Sequence, residues 1–256
     1  MVKFIESSHQ YMLEDGEELI SVSKFTELFK EKQNWDEIAR KRAKKLGVSA
    51  KELRDSWKEK ARIATEVGTL LHSIRETELI HESDPVFYDS ICQVKQCEFK
   101  EGDKYSIPIN ALEDNTVYPE LMIYDLDHSL CGQADKIIVS NGKIHVWDYK
   151  TDKEIAFQGY SNKFMKARKL LKPLDHLDEC NANIYSVKMS LYMYMLWKAN
   201  KGKLKPGDLI IEHVHLKRDE EGIPILENGL PVVLKTEQIK LPYRKKEVEE
   251  MLKTIV

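Results

Sequence analysis

Cysteine is scarce in this sequence. There are four in 256 residues, only Cys92 and Cys97 lie close together, and no CxxC occurs. Four thiolates can hold zinc or an iron–sulfur cluster, but that spacing suits neither, so buried thiols are the expectation. No stretch is apolar enough to cross a bilayer. The opening residues, MVKFIESSHQYMLEDGEEL, lack both the apolar core of a signal peptide and the arginine-rich, acid-poor character of a transit peptide. A cytoplasmic location is therefore expected, where disulfides are disfavoured. An excess of one charge is missing too. The formal net charge is -3, from 40 basic and 43 acidic side chains, so any surface for nucleic acid must be local. Without repeats or low-complexity linkers there is no obvious place to cut the chain. It reads as one domain, with an N-terminal hairpin and helical lobe over about 1–66 and a core over about 67–256.

What is present is an ordinary globular balance, 42% hydrophobic and 32% charged. Alternation around Asp15-Gly16 predicts a hairpin within residues 3–22, followed by a short helix capped by Ser21 or Ser23. Amphipathic helices follow over about 34–46 and 50–80, the second opened by a Ser49/Glu52 capping box. The stretch from about 84 to 116 carries no clear pattern. Strands are predicted at 118–125, 131–140 and 143–150, then a long apolar helix (NANIYSVKMSLYMYMLWKAN), strands at about 208–216 and 231–241, and a helix from 243. This order suggests a mixed α/β fold, a central mixed sheet flanked by helices.

One segment concentrates the chemistry: GQADKIIVSNGKIHVWDYKT, from Gly132 to Thr151. Asn141-Gly142 is a strong two-residue hairpin signal. Placing Ser140 opposite Lys143 puts Asp135 opposite Asp148, on the face that also carries Ile137, Val139, Ile144 and Val146. Lys150 shares that face. Two opposed carboxylates in a core strand repel. They persist if one is protonated, if cations balance them, if they hold a metal, or if the strand end is solvated. Neutralising Asp135 is expected to relieve the repulsion. A four-residue loop over Leu126–Ser129 would add Glu120 opposite Asp135, completing an acidic row across three strands.

Asp135 followed by Asp148-Tyr149-Lys150 resembles the signature of PD-(D/E)XK nucleases, with aspartate in place of the motif glutamate. VGTLLHSIRE (Val67–Glu76) resembles the helical GTxxH…E motif of the RecB-like branch, and KMSLYMYML (Lys188–Leu196) its QxxxY helix. SHQYMLEDGEELISVSKF resembles the opening of phage exonucleases and of the mitochondrial genome maintenance exonuclease. The resemblance implies a restriction-endonuclease-like core and Mg²⁺ or Mn²⁺ bound by His72, Asp135, Asp148 and the backbone carbonyl of Tyr149. It implies catalytic roles for Asp135, Asp148 and Lys150, assisted by Glu120, with Gly68 and Glu76 in support. Lys188 stands where the family has glutamine, while Tyr192 keeps its place.

The activity so implied is hydrolysis of DNA phosphodiester bonds, as an exonuclease on single-stranded ends in replication, recombination or repair, in a bacterial or phage-infected cell. A structure-specific endonuclease and a catalytically silent nucleic-acid-binding protein are the alternatives. Nucleic-acid contacts are expected from Thr151, Lys188 and Tyr192. They are also expected from the basic segment with Lys163, Lys166, Arg168 and Lys169, where cations and aromatics interleave. No base-reading motif stands out, so little sequence specificity is expected.

Overall fold

The computed structural model describes residues 2–83, 85–100, 102–161 and 167–255. Local chemistry accounts for the N-terminal elements. Three short strands, β1 (Val2–Ile5), β2 (Gln10–Leu13) and β3 (Glu18–Ser21), form an antiparallel meander, one strand more than the predicted hairpin. Ser21 caps α1 (Val22–Glu27), its hydroxyl accepting from the Lys24 amide at 3.1 Å. Asn34 caps α2 (Trp35–Leu46), and Gly47 ends it at φ +71°. The Ser49/Glu52 capping box opens α3 (Ala50–His81), 32 residues long. Helix α2 lies against α3, burying Ala39 and Ala43 and pairing Asp36 with Arg54 at 2.6 Å.

The sheet is built on β4 (Thr116–Asp125), β5 (Leu130–Ser140), β6 (Lys143–Lys150), β7 (Lys205–Leu216) and β8 (Val233–Leu241). Neighbours along it run antiparallel except β6 and β7, which are parallel. The unpatterned stretch before β4 forms short pairings, of which Gln93–Val94 lies along β4. Strand β3 pairs in parallel with Leu130 and Cys131 of β5, so the N-terminal strands belong to the main sheet.

Helices cover both faces, which is why β5 and β6 read as nearly continuous apolar runs. On one face α4 (Asn181–Ala199) packs Met189, Leu191 and Met193 into a cluster with Ile137, Val139, Ile144, Val146, Leu209 and Ile211. Helix α5 (Lys245–Leu252) packs against α4. On the other face α3 supplies Leu79 against Ile138, Trp147 and Ile210, and Val67 and Leu71 against Val214 and Leu216. All four cysteines are buried and free. Among the described residues no helix is long and apolar enough to cross a membrane. The architecture is mixed α/β, a large mixed sheet flanked by helices.

Candidate metal centre

Turn chemistry decides where the acids meet. Asn141 and Gly142 sit at φ +53° and +68°, the conformation a two-residue turn requires, and Ser140 faces Lys143. The ladder runs to Lys136 opposite Trp147 and stops there, one step short of the aspartates. That edge of β5 pairs with β6 from Lys136 onward and with β3 only at Leu130 and Cys131, so residues 132–135 pair with neither. The sheet is split at this point, and α3 and α4 both reach into the split from opposite faces.

On its other edge β5 places Leu130 opposite Asp125, as the four-residue loop requires, and the register brings Glu120 to Asp135. The pair itself is missing from the ladder because Glu120 takes φ +47°. A left-handed backbone costs a non-glycine residue about 1–2 kcal/mol, and here it lifts Glu120 out of the regular pleat.

His72 arrives from α3. Its Nε2 lies 3.2 Å from the Tyr149 carbonyl oxygen and its Nδ1 3.5 Å from Asp135 Oδ1. A carbonyl only accepts, so Nε2 carries the hydrogen, and Nδ1 faces a carboxylate. That facing suits a cation between them, a proton or a metal. Asp135 Oδ2 accepts the Tyr149 amide at 2.6 Å. One ligand atom each from His72, Glu120 and Asp135 lies within 4.8 Å of the other two.

The charges in this cluster are unevenly shared. Burial, with the Asp135 charge adding to it, pushes the Glu120 carboxyl up to about 7. Burial acts in the same direction on Asp135, but the hydrogen bond and charge of His72, with Lys150 and Lys188 behind them, outweigh it and hold Asp135 at about 2. His72 is raised: burial opposes the charged ring, and its contact with Asp135 overcomes this. Within the acidic row the carboxyl that burial and the neighbouring charge push up is Glu120, while Asp135 is held low.

Asp148 lies outside the converging three. The Lys150 ammonium rests on its Oδ2, and Lys188 Nζ lies 3.8 Å from its Oδ1. Lys150 also donates to the Tyr149 carbonyl at 2.9 Å. Asp148 is thus the counter-ion of two lysines. Tyr192 is only 2% exposed and packs over Gly132, where an added Cβ would lie 2.7 Å from its Cε1 and Oη. The cavity beside it, about 830 Å³, is lined by Glu76, His72, Glu120, Gln133 and Lys188 among others. Gly68 and Thr151 are neighbours: a Cβ at Gly68 would meet Thr151 Oγ1 at 3.9 Å, an ordinary contact. Close backbone approach does not explain that glycine.

Lys163 and Lys166 lie outside the described residues. Arg168 Nε is 2.7 Å from Glu179 and 3.4 Å from Glu31, and Lys169 is 2.5 Å from Asp178. Both cations are matched internally. Two features escaped the sequence reading. Gln133 donates to the Glu120 carboxylate. A groove of about 570 Å³ between α2 and α3 is lined by Trp35, Ile38, Arg42, Arg54, Trp57 and Lys58, with the two indoles 6.2 Å apart. At about 100° and 1.5 Å per residue, Arg54 and Lys58 fall within about 40° of His72 around α3, roughly 21–27 Å back along its axis. Tryptophans spaced with basic residues were the available signal.

Comparison with protein-family models, with curated proteins and with solved structures finds no match to this chain in any of the three.

Proposed function

We propose that the chain is a divalent-metal-dependent deoxyribonuclease of the PD-(D/E)XK type, acting as an exonuclease on single-stranded DNA ends. The observation that carries this reading is the convergence of His72, Glu120 and Asp135, the first two lining one cavity with Lys188, which reaches the Asp148–Lys150 pair. Two carboxylates and an imidazole form an oxygen-rich donor set that suits Mn²⁺ or Mg²⁺, and the facing of His72 Nδ1 on a carboxylate oxygen suits a cation between them. His72, Glu120 and Asp135 would hold the ion, which supplies Lewis acidity toward a phosphate oxygen and acidity to a water.

The chain's own groups then divide the work. Lys150 carries an ammonium held by Asp148 and by the Tyr149 carbonyl, placed to orient a water and to neutralise charge growing on the phosphate. His72 is steered by the same Tyr149 carbonyl. Lys188 adds a second cation, a point charge where the family has an amide. The Trp35/Trp57 groove, on the same stripe of α3 as His72, offers stacking and phosphate contacts to an unpaired strand. This and the N-terminal resemblance favour exonuclease over endonuclease action.

One observation favours a second reading, a silent nucleic-acid-binding protein: Asp148 is already neutralised by two lysines, one at the family's glutamine position. Cleavage of end-labelled single- and double-stranded DNA in Mg²⁺, Mn²⁺ or EDTA, with Asp148→Ala alongside, separates the two. Metal-dependent loss of substrate that the variant lacks supports the nuclease, and the product ladder gives polarity. Binding without cleavage by folded protein, with cleavage restored in Lys188→Gln, would identify Lys188 as the cause of silence.

A further inference from the structure

A second cluster of metal-ligating side chains, sharing no residue with the first, lies on β7 and β8. His213 and His215 point to one face of β7. Glu237 of β8 is directly opposite His213 in the register and diagonal to His215. Glu237 Oε1 lies 3.5 Å from His213 Nδ1 and 3.0 Å from His215 Nε2. One ligand atom from each of the three falls within 4.8 Å of the others.

The hydrogen bonds around the cluster leave three atoms facing one another: His213 Nδ1, His215 Nε2 and Glu237 Oε1. His213 Nε2 is 2.8 Å from the Asp152 carbonyl oxygen, which only accepts, so Nε2 carries the hydrogen and Nδ1 the lone pair. The His213 side chain is 2% exposed, and beyond Glu237 Oε1 neither its Nδ1 nor the buried Nε2 of His215 has a hydrogen-bond partner among the described residues. Glu237 has its other oxygen, Oε2, held by Lys235 at 3.0 Å, which leaves Oε1 as a single donor atom. A histidine whose far nitrogen donates to a backbone carbonyl, with its near nitrogen aimed at a carboxylate, is the arrangement that orients a metal ligand. Zn–N and Zn–O bonds of about 2.0–2.2 Å at tetrahedral angles separate neighbouring donor atoms by roughly 3.3–3.5 Å, close to the spacings seen here.

We propose that His213, His215 and Glu237 form a transition-metal site of the zinc class, with two imidazole nitrogens, one carboxylate oxygen and an open fourth position. The donor set favours Zn²⁺ over Mg²⁺, because nitrogen ligands suit borderline metals. The site ties β7 to β8. Through His213 and the Asp152 carbonyl it also holds the chain just after Lys150, the residue with which His213 is in register on β6.

The test uses the full chain, stripped with EDTA and desalted, and titrated with Zn²⁺ or with Co²⁺ as an optical probe. One equivalent of Co²⁺ should give the visible bands of a low-coordinate nitrogen-ligated site, and Zn²⁺ should displace it while millimolar Mg²⁺ does not. His215→Asn and Glu237→Gln lie at partly exposed positions, and circular dichroism checks that they fold. Loss of an outer-shell partner alone weakens metal binding 10–100-fold, so each should weaken Zn²⁺ binding by about 100-fold or more. His72→Asn should leave this Zn²⁺ equivalent unchanged. If the wild-type chain binds no stoichiometric Zn²⁺, or if folded His215→Asn and Glu237→Gln bind it as tightly as wild type, the proposal fails. The three groups are then a proton-shared ion pair.

Discussion

Glu120→Gln is the substitution whose effect the charge distribution fixes most closely. The carboxyl moves from an ordinary 4.5 to about 7 in the folded protein, because burial and then the Asp135 charge disfavour its ionised form. At about 1.4 kcal/mol per tenfold, ionising it in the folded state costs on the order of 3 kcal/mol. Sharing of the load with Asp135 makes about 2–3 kcal/mol the expected figure. Below pH 4.5 the residue is protonated whether folded or unfolded and contributes no difference. Between 4.5 and about 7 the folded state binds more protons than the unfolded, so wild-type stability falls relative to the variant as pH rises. Above about 7 the gap levels off. Urea denaturation of both proteins in EDTA at pH 4.5, 6, 7 and 8 reads this directly. Glutamine should be nearly neutral at pH 4.5 and stabilising by about 2–3 kcal/mol at pH 8. Adding Mn²⁺ should stabilise wild type more than the variant and narrow the gap, since the ion binds the ionised carboxylate. A gap that is flat across this range, or a variant less stable than wild type throughout, would refute the upward displacement of the Glu120 carboxyl.

Three other outcomes are expected. Asp148→Asn strands Lys150 and Lys188 beside each other and should abolish cleavage. Its thermodynamic cost should fall below the ~3–5 kcal/mol of a fully buried broken pair, because both lysines reach solvent; denaturation midpoints measure it. Gly132→Ala drives a methyl against the Tyr192 ring and should lower stability by about 1–3 kcal/mol, seen as a drop in Tm, with an unchanged Tm refuting the packing. Trp57→Ala should weaken binding of single-stranded DNA by about 1–3 kcal/mol in fluorescence anisotropy and leave duplex binding nearly unaltered.

Much of the site could be read from local signals, and the misses have a common cause. Asn141-Gly142 fixes the β5–β6 register, and the Asp125–Leu130 loop fixes β4, so Glu120 and Asp135 were brought together by turn chemistry alone. The left-handed backbone at Glu120 was invisible, since glutamate carries no preference for it. So was the end of the ladder at Lys136, which depends on β3 occupying the same edge from elsewhere in the chain. Arg168 and Lys169 read as a free basic patch because their partners, Glu31, Glu179 and Asp178, are set by tertiary packing. His213 and His215 form an H-x-H that the sequence reading passed over. Their carboxylate comes from another strand, and only the β7–β8 register identifies it.

The split in the sheet also bears on the order in which the protein assembles. Strands β4, β5 and β6 are joined by turns of four and two residues, so their contacts are local and cheap in loop entropy. The β3–β5 pairing joins residues about 110 apart, Ile20 with Leu130, and α3 must dock across the sheet to deliver His72. The acidic hairpins therefore form early, and the histidine arrives late. Completion of the site is thus tied to closure of the longest-range contacts and not to formation of the hairpins.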